Sequence, residues 1–216
     1  MKAAIFDMDG LIIDSEPLWR LAERAAFSRV GLNLSDDECR QTTGLRSDEV
    51  VGYWFERRPW TGVGQTDVVR DLEEGVARII SERGQVLPGV RQTIDCLCHA
   101  GLRLALATSS SHEIIRVVLS TLRFEDAFEF ACSAADEERG KPDPAVYLTT
   151  VRRLGLAAEE CWALEDSAAG VQAARAAGCR VVAVPSPEDF DDPQFDLAHL
   201  KLHSLTDFDL RLIERS

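Results

Sequence analysis

Two aspartates, Asp7 and Asp9, lie two positions apart where the first apolar segment of the chain ends. Residues Ala3–Phe6 are typical of a short buried strand, and Gly10 is the break that releases this strand into a loop. Side chains at positions i and i+2 of an extended segment share one face, so both carboxylates can reach one small volume. Because like charges repel there, the pair needs a proton or a cation to hold it.

Other chemically useful side chains also follow predicted strands. Thr108 and Ser109 come directly after the second strand candidate, and Glu165 and Asp166 come after a later one. Open doubly wound sheets bind ligands at the carboxyl ends of their strands, so we expect these side chains to meet at one edge of the sheet. For Asp166 alone, a helix N-cap is an equally good interpretation.

A site for an anion is indicated by two further features. Ser110 and Glu113 have the spacing of a capping box, which predicts a helix start beside Thr108 and Ser109, and helix starts bind anions through free N–H groups. Lys141 lies in a Gly-Lys-Pro-Asp-Pro segment, whose rigid backbone favours a positioned lysine over an exposed loop lysine. Lys141 could neutralise a phosphate oxygen and the nearby carboxylates.

The acidic residues at this edge suggest a metal and a reaction. Several carboxylates without a histidine cluster suit a hard cation that prefers oxygen ligands, above all Mg²⁺. A carboxylate can attack phosphorus while a metal and a lysine neutralise the phosphoryl oxygens. A second carboxyl group can protonate the leaving alcohol and then activate the water that cleaves the acyl phosphate.

The elements that must position these residues alternate between strand and helix. The predicted strands are 3–6, 102–107, 127–132, 161–164 and 180–184, and the predicted helices between them are 112–122, 144–154 and 168–177. This alternation indicates an α/β fold with a doubly wound parallel sheet. Residues 15–87 are predicted to be helical throughout, with helices at 16–30, 35–41, 47–57 and 66–83. We therefore expect a core domain of residues 1–14 and 88–216 and an all-helical cap domain of residues 15–87.

Composition limits the partners. The chain has 216 residues and a formal net charge of −13 at pH 7, which argues against nucleic acid and anionic membranes as partners. We expect no signal peptide and no segment that spans a bilayer, and the six cysteines have no paired metal-ligand spacing. We expect a cytoplasmic protein, and nothing in the sequence requires more than a monomer.

The four motifs together resemble those of the haloacid dehalogenase superfamily, in the order of that family and over the whole chain. They are Asp7-Met8-Asp9-Gly10, Thr108, Lys141 and Glu165-Asp166. The insert between the first two motifs resembles the helical type 1 cap of the family. The resemblance implies that Asp7 is the nucleophile and Asp9 the general acid and base.

The same resemblance implies the ligand sets. Mg²⁺ would be held by Asp7, by the backbone carbonyl of Asp9 and by Asp166, with Glu165 in support. The phosphate would be held by Thr108, Ser109 and Lys141.

A narrower likeness is to the hexitol phosphatase and 2-deoxyglucose-6-phosphate phosphatase group. It lies in residues 14–19, 43–46, 58–60 and 164–167. It implies a small phosphorylated sugar or polyol as substrate, with Glu16, Trp19 and Arg46 as cap residues that bind it. Trp54 and Trp60 could also stack on a sugar, although Trp54 could equally pack the interior of the cap.

Three other functions remain open from the sequence. A mutase similar to β-phosphoglucomutase would share every core motif, but such mutases carry a cap histidine where this chain has Trp19, and no histidine occurs before His99. A dehalogenase would gain nothing from a proton donor at Asp9. A catalytically silent binding protein should have lost at least one of the core residues, and this chain retains all of them.

Overall fold

The computed structural model describes residues 1–214 and contains one sheet of six parallel strands. The strands are β1 (Ala3–Phe6), β2 (Arg103–Thr108), β3 (Ala131–Ser133), β4 (Cys161–Glu165), β5 (Arg180–Ala183) and β6 (Leu200–Lys201). Their order across the sheet is β3-β2-β1-β4-β5-β6. The strand order reverses direction beside β1, which is the place where doubly wound sheets bind ligands. The predicted fold class is confirmed.

The helices are α1 (Glu16–Ser28), α2 (Asp36–Cys39), α3 (Ser47–Arg57), α4 (Gln65–Arg83), α5 (Val90–His99), α6 (His112–Leu122), α7 (Ala145–Leu154), α8 (Ala168–Ala176) and α9 (Leu210–Glu214). Helices α1 to α4 follow β1 directly and form the helical insert, by which we mean residues 15–87. The capping box that opens α2 is present, because the Ser35 hydroxyl accepts from the Glu38 N–H and the Glu38 carboxylate accepts from the Ser35 N–H. In the described part of the chain, no helix is both long and apolar enough to cross a bilayer.

Both faces of the sheet are covered, which explains the continuous apolar character of its strands. All four residues of β1 are fully buried. Ala4 and Phe6 belong to the apolar cluster that includes residues of α5 and α6, whereas Ala3 and Ile5 belong to the cluster that includes residues of α7 and α8. All side chains of β1 therefore pack in the apolar clusters, and functional side chains can reach a ligand only from the residues that follow the strand.

The helical insert has an apolar interior of its own. Its buried members include Phe27, Val51, Trp54, Trp60 and Val68. Other faces of α1 and α4 join the apolar cluster of the sheet through residues such as Leu18, Leu72 and Ile80. Two of the four insert helices therefore attach the insert to the sheet.

Apart from small shifts of element ends, the sequence prediction differs from the structure at four elements. Strand β3 starts at residue 131 and not at 127. The residues before it form a turn, in which the Ala127 N–H donates to the Phe124 carbonyl at 3.0 Å and the side chains of Phe124 and Phe128 are buried. Helices α5 and α9 and strand β6 were not predicted. The signal for α5 was present, since Val90, Ile94 and Leu97 have helical spacing and are all buried.

Candidate active site

The ends of three neighbouring strands lie level with one another. Phe6 of β1 is paired with Leu106 of β2 and with Leu164 of β4, and the Asp7 N–H continues the pairing by donating to the Leu164 carbonyl at 2.9 Å. The polar residues that follow these strands therefore emerge at one edge of the sheet, as predicted. Beneath the insert they line one cleft, whose walls include Asp7, Asp9, Glu16, Trp19, Thr108, Ser109, Lys141 and Asp166.

Lys141 is the most enclosed charge of the cleft, with 2% of its surface exposed. Its ammonium donates to Asp7 Oδ1 at 2.7 Å, to Glu165 Oε1 at 2.6 Å and to the Ala107 carbonyl at 2.9 Å. These three acceptors use all three donors of an ammonium group. The lysine is therefore positioned by the sheet edge, as the rigid segment around it predicts.

The pKa values of Asp7 and Lys141 are both shifted from their ordinary values. Burial raises the pKa of Asp7 from 3.8 to about 7, an effect that the charge of Lys141 opposes and that of Glu165 reinforces. Burial alone would lower the pKa of the Lys141 ammonium, but the charges of Asp7 and Glu165 outweigh it and the pKa is raised above its usual range. Lys141 therefore stays charged beside a carboxyl group that needs positive charge to ionise.

Glu165 faces Lys141 and has no surface exposure. Besides Lys141, it accepts a short hydrogen bond from the Tyr147 hydroxyl, a residue that sequence reasoning missed. Gly170 lies against its carboxylate, and a Cβ at position 170 would overlap the Glu165 oxygens. Glu165 therefore positions the Lys141 ammonium through a hydrogen bond. It is not among the residues that line the cleft.

Asp166 has the properties expected of a metal ligand. Its Oδ1 is buried and has no hydrogen-bond partner among the described residues, and burial raises the pKa of its carboxyl group well above the ordinary value. Carboxylate oxygens of Asp7, Glu165 and Asp166 lie within 4.8 Å of one another. An unpartnered carboxylate beside two others fits a hard cation such as Mg²⁺. Gly10 leaves the room for it, because a Cβ there would overlap Asp166 Oδ2.

Asp9 is held by three hydrogen bonds. Its Oδ1 accepts from the Ser15 hydroxyl at 2.7 Å and from the Trp19 indole N–H at 2.9 Å, and its Oδ2 accepts from the Ser110 hydroxyl at 2.7 Å. Trp19 belongs to α1 of the insert, whereas Ser110 follows β2. The predicted general acid is thus joined to both parts of the chain, and Ser15 and Ser110 are site residues that sequence reasoning missed.

One prediction about the loop after β2 is wrong, and another stays a prediction. Ser110 does not form a capping box with Glu113, because α6 begins at His112 with Ser111 before it and shows no side-chain cap. The Ser110 hydroxyl is engaged with Asp9 instead. Ser109, predicted to hold phosphate, lines the cleft but donates its hydroxyl to the carbonyl of Gly44 in the insert at 2.7 Å.

The predicted cap residues divide into two groups. Glu16 and Trp19 line the cleft, and burial raises the pKa of Glu16 to about 7. Arg46 does not line it. Its guanidinium pairs with Asp48 at 2.6 Å and donates to the carbonyls of Ala134 and Glu137 at 3.1 and 2.8 Å. The predicted substrate contact of Arg46 is therefore not supported by this arrangement.

The aromatic residues of the insert divide in the same way. Trp54 and Trp60 are buried in the interior of the insert, with an edge-to-face contact between Trp60 and Phe27. Of the three tryptophans considered for sugar stacking, Trp19 lines the cleft. The packing interpretation of Trp54 is the one that the structure supports.

The cleft is small and acidic. Five carboxylic side chains line it, those of Asp7, Asp9, Glu16, Glu23 and Asp166, against two cationic ones, those of Arg20 and Lys141. Its volume of about 40 Å³ is room for a few water molecules. An anionic substrate would therefore need a cation to compensate the carboxylates and a movement of the insert to make room.

Comparison with known proteins places the chain in a family. Residues 4–184 match the haloacid dehalogenase-like hydrolases. Hexitol phosphatase B of Escherichia coli (strain K12) is 41% identical over 206 residues, which cover 95% of this chain and 93% of the relative. The phosphorylated carbohydrates phosphatase of Thermotoga maritima is 32% identical over 178 residues, which cover 82% of this chain and 82% of that protein.

The fold is also shared with a solved structure. The crystal structure of β-phosphoglucomutase from Clostridium difficile has a TM-score of 0.86 and covers 100% of this chain and 96% of its own. At 22% identity this likeness concerns the fold alone. The family match and the coverage of the relatives show that the chain belongs to the haloacid dehalogenase-like hydrolases, as its four motifs predict.

Proposed function

We propose that this hydrolase releases phosphate from small phosphorylated sugars or sugar alcohols and depends on Mg²⁺. The observation that carries the proposal is the meeting of Asp7, Lys141 and Asp166 in one cleft at the carboxyl edge of the sheet. A nucleophilic carboxylate, a fixed cation and an unpartnered metal ligand are the groups that phosphoryl transfer through an aspartyl phosphate requires.

In the proposed reaction, Asp7 is the nucleophile. Its carboxylate oxygen attacks phosphorus, the bond between phosphorus and the sugar oxygen breaks, and Asp9 donates a proton to the departing alcohol. Asp9 then takes a proton from a water molecule as that water attacks the phosphorus of the aspartyl phosphate. Phosphate leaves, and Asp7 is restored as a carboxylate.

The remaining residues would neutralise the charge of the phosphoryl group and orient it for the reaction. Lys141 and the hydroxyl groups of Thr108 and Ser109 would bind the phosphoryl oxygens, which requires the Ser109 hydroxyl to leave the Gly44 carbonyl. Asp7, Asp166 and the backbone carbonyl of Asp9 would hold Mg²⁺, with Glu165 supporting the site through Lys141. When bound, Mg²⁺ supplies positive charge that offsets the phosphate and the carboxylates around it.

The substrate class is proposed from the relatives and from the insert. Two relatives are named for activity on a hexitol or on phosphorylated carbohydrates. The insert closes the cleft with polar side chains from α1, which can bind hydroxyl groups of a sugar or polyol. Trp19 argues against the mutase alternative, since an indole N–H only donates and exchanges no proton with Asp9.

The proposal is tested by phosphate release from a panel that contains sorbitol 6-phosphate, 2-deoxyglucose 6-phosphate, β-glucose 1-phosphate and p-nitrophenyl phosphate. We expect phosphate release from the sugar and polyol esters with Mg²⁺ and none after chelation. Conversion of β-glucose 1-phosphate into glucose 6-phosphate would favour the mutase. Absence of turnover on every ester with saturating Mg²⁺ would favour a binding protein.

A further inference from the structure

Glu23 of helix α1 is a buried acid that the proposed mechanism does not use. Only 6% of its surface is exposed, yet it lines the same cleft as Asp7 and Asp9. Its Oε2 is buried and has no hydrogen-bond partner among residues 1–214. Burying a carboxyl oxygen without a partner costs free energy, so such a group is expected to have a partner in some state of the protein.

The position of Glu23 along α1 relates it to the reacting groups. Trp19, four residues earlier, donates its indole N–H to Asp9 at 2.9 Å. Residues four apart lie on the same face of a helix, one turn or about 5 Å further along its axis. The face of α1 that meets Asp9 therefore continues to Glu23, which interacts with Cys39 of α2 in the insert.

The surroundings of Glu23 leave it available to a ligand. The charged groups that act on it are Glu16 and Arg20 on the same helix, and the Cys39 thiol of α2 also interacts with it. Among the described residues it has no ion pair within 4.0 Å. A thiol is a weak hydrogen-bond donor, so the carboxyl group lacks strong donors in this state.

We propose that Glu23 is a specificity-determining residue that accepts hydrogen bonds from hydroxyl groups of the substrate remote from its phosphate. The inference rests on the proposed function, since the phosphate must be held at Asp7 and Lys141 for the remote end to reach α1. A carboxylate can accept from two neighbouring hydroxyl groups at once, as a polyol chain presents them. Esters too short to reach α1 gain nothing from Glu23.

The test compares two esters and three proteins. The kcat/KM of phosphate release is measured for sorbitol 6-phosphate and for glycerol 3-phosphate, which has the shorter chain. We expect Glu23→Ala to lower kcat/KM about 10- to 100-fold for sorbitol 6-phosphate and less than about twofold for glycerol 3-phosphate. Glu23→Gln, which keeps one acceptor oxygen, should show a smaller selective loss.

The control is Glu74→Gln, the same chemical change at an exposed position of α4 in the insert. It should leave both esters unaffected, and thermal unfolding of all variants checks that they are folded. Equal loss on both esters, or no loss on either, would overturn the inference while the proposed function stands. A wild-type protein that hydrolyses neither of these two esters would overturn the inference. One that hydrolyses no ester of the panel above would overturn the proposed function as well.

Discussion

Lys141 shows at the scale of one residue how the cleft tolerates its carboxylates. Its ammonium compensates Asp7 and Glu165 at 2.7 and 2.6 Å, in a place with almost no access to water. Removing one partner of a buried ion pair leaves the other charges without compensation. Lys141 therefore stabilises the fold as well as serving the proposed chemistry.

Lys141→Met should lower the free energy of unfolding by about 3–5 kcal/mol, because two buried carboxylates lose their cation. Urea unfolding measures the change. The control is Lys201→Met, which removes a partly exposed lysine paired with Asp196 at 3.2 Å and should cost less than about 1 kcal/mol. Equal costs for the two variants would show that Lys141 does not compensate the buried carboxylates.

The raised pKa of Glu23 makes the stability of the protein depend on pH. Burial raises its pKa from 4.5 to about 7, with smaller influences from Cys39, Glu16 and Arg20. As the pH rises between these values, the unfolded chain releases the proton and the folded protein retains it, so the wild type loses stability. Relative to the wild type, Glu23→Gln should therefore gain stability as the pH rises, by up to about 3 kcal/mol above neutral pH.

The measurement is chemical unfolding of wild type and variant at about pH 5 and about pH 8, on either side of most of the expected titration. The difference in the free energy of unfolding between wild type and variant reports on Glu23 alone, because other acids that titrate in the same range, such as Glu16, are present in both proteins. A difference that stays constant with pH would show that the pKa of Glu23 is not raised.

At the scale of elements, the turn after β1 determines whether the metal ligand has room. Gly10 has φ +75° and lies against the Asp166 carboxylate. A side chain at position 10 would be strained by the backbone and would also displace Asp166. The two effects can be separated, because Gly31 has φ +80° and no atom lies within 4 Å of the place that a Cβ would take there.

Gly10→Ala should raise the Mg²⁺ concentration for half-maximal phosphate release by about 10- to 100-fold, since it displaces a metal ligand. Gly31→Ala should cost about 1–2 kcal/mol of stability through its backbone and leave the Mg²⁺ dependence unchanged. Titration of activity with Mg²⁺ and thermal unfolding give the two readouts. If both variants need the same Mg²⁺ concentration, Asp166 does not hold the metal.

At the scale of the whole molecule, the insert touches the loop that carries Lys141. Arg46 donates to the carbonyls of Ala134 and Glu137, and Glu49 accepts from the N–H of Gly140 at 3.0 Å. These hydrogen bonds join the insert to the loop that carries Lys141, in addition to the apolar contacts of α1 and α4 with the sheet. A movement of the insert that admits substrate would break them.

Arg46→Ala should therefore speed amide hydrogen exchange in residues 134–140, because it removes two hydrogen bonds between that loop and the insert. Arg24→Ala is the matched control, since Arg24 is exposed and pairs with Asp36 inside the insert. Unchanged exchange in residues 134–140 of the Arg46 variant would show that these bonds do not hold the loop.

The sequence predicted the sheet and the residues at its edge because each of them follows a local rule. Asp7, Thr108 and Asp166 could be located from where apolar strands end. One partner of Asp9 and one of Glu165 could not, because Ser110 and Tyr147 are distant in sequence and ordinary in context. The contacts of Arg46 could not be predicted either, since nothing in its local sequence indicates that the carbonyls of residues 134 and 137 lie beside it.

The central claim is that Asp7 forms a covalent bond to the phosphoryl group. The direct measurement is rapid acid quenching during turnover of a hydrolysed sugar phosphate with Mg²⁺, followed by mass spectrometry of the peptide that contains Asp7. We expect one phosphoryl group on Asp7 in the wild type and none in Asp7→Asn, which should also lack turnover. Full turnover by Asp7→Asn, or a phosphoryl group on another residue, would contradict the account.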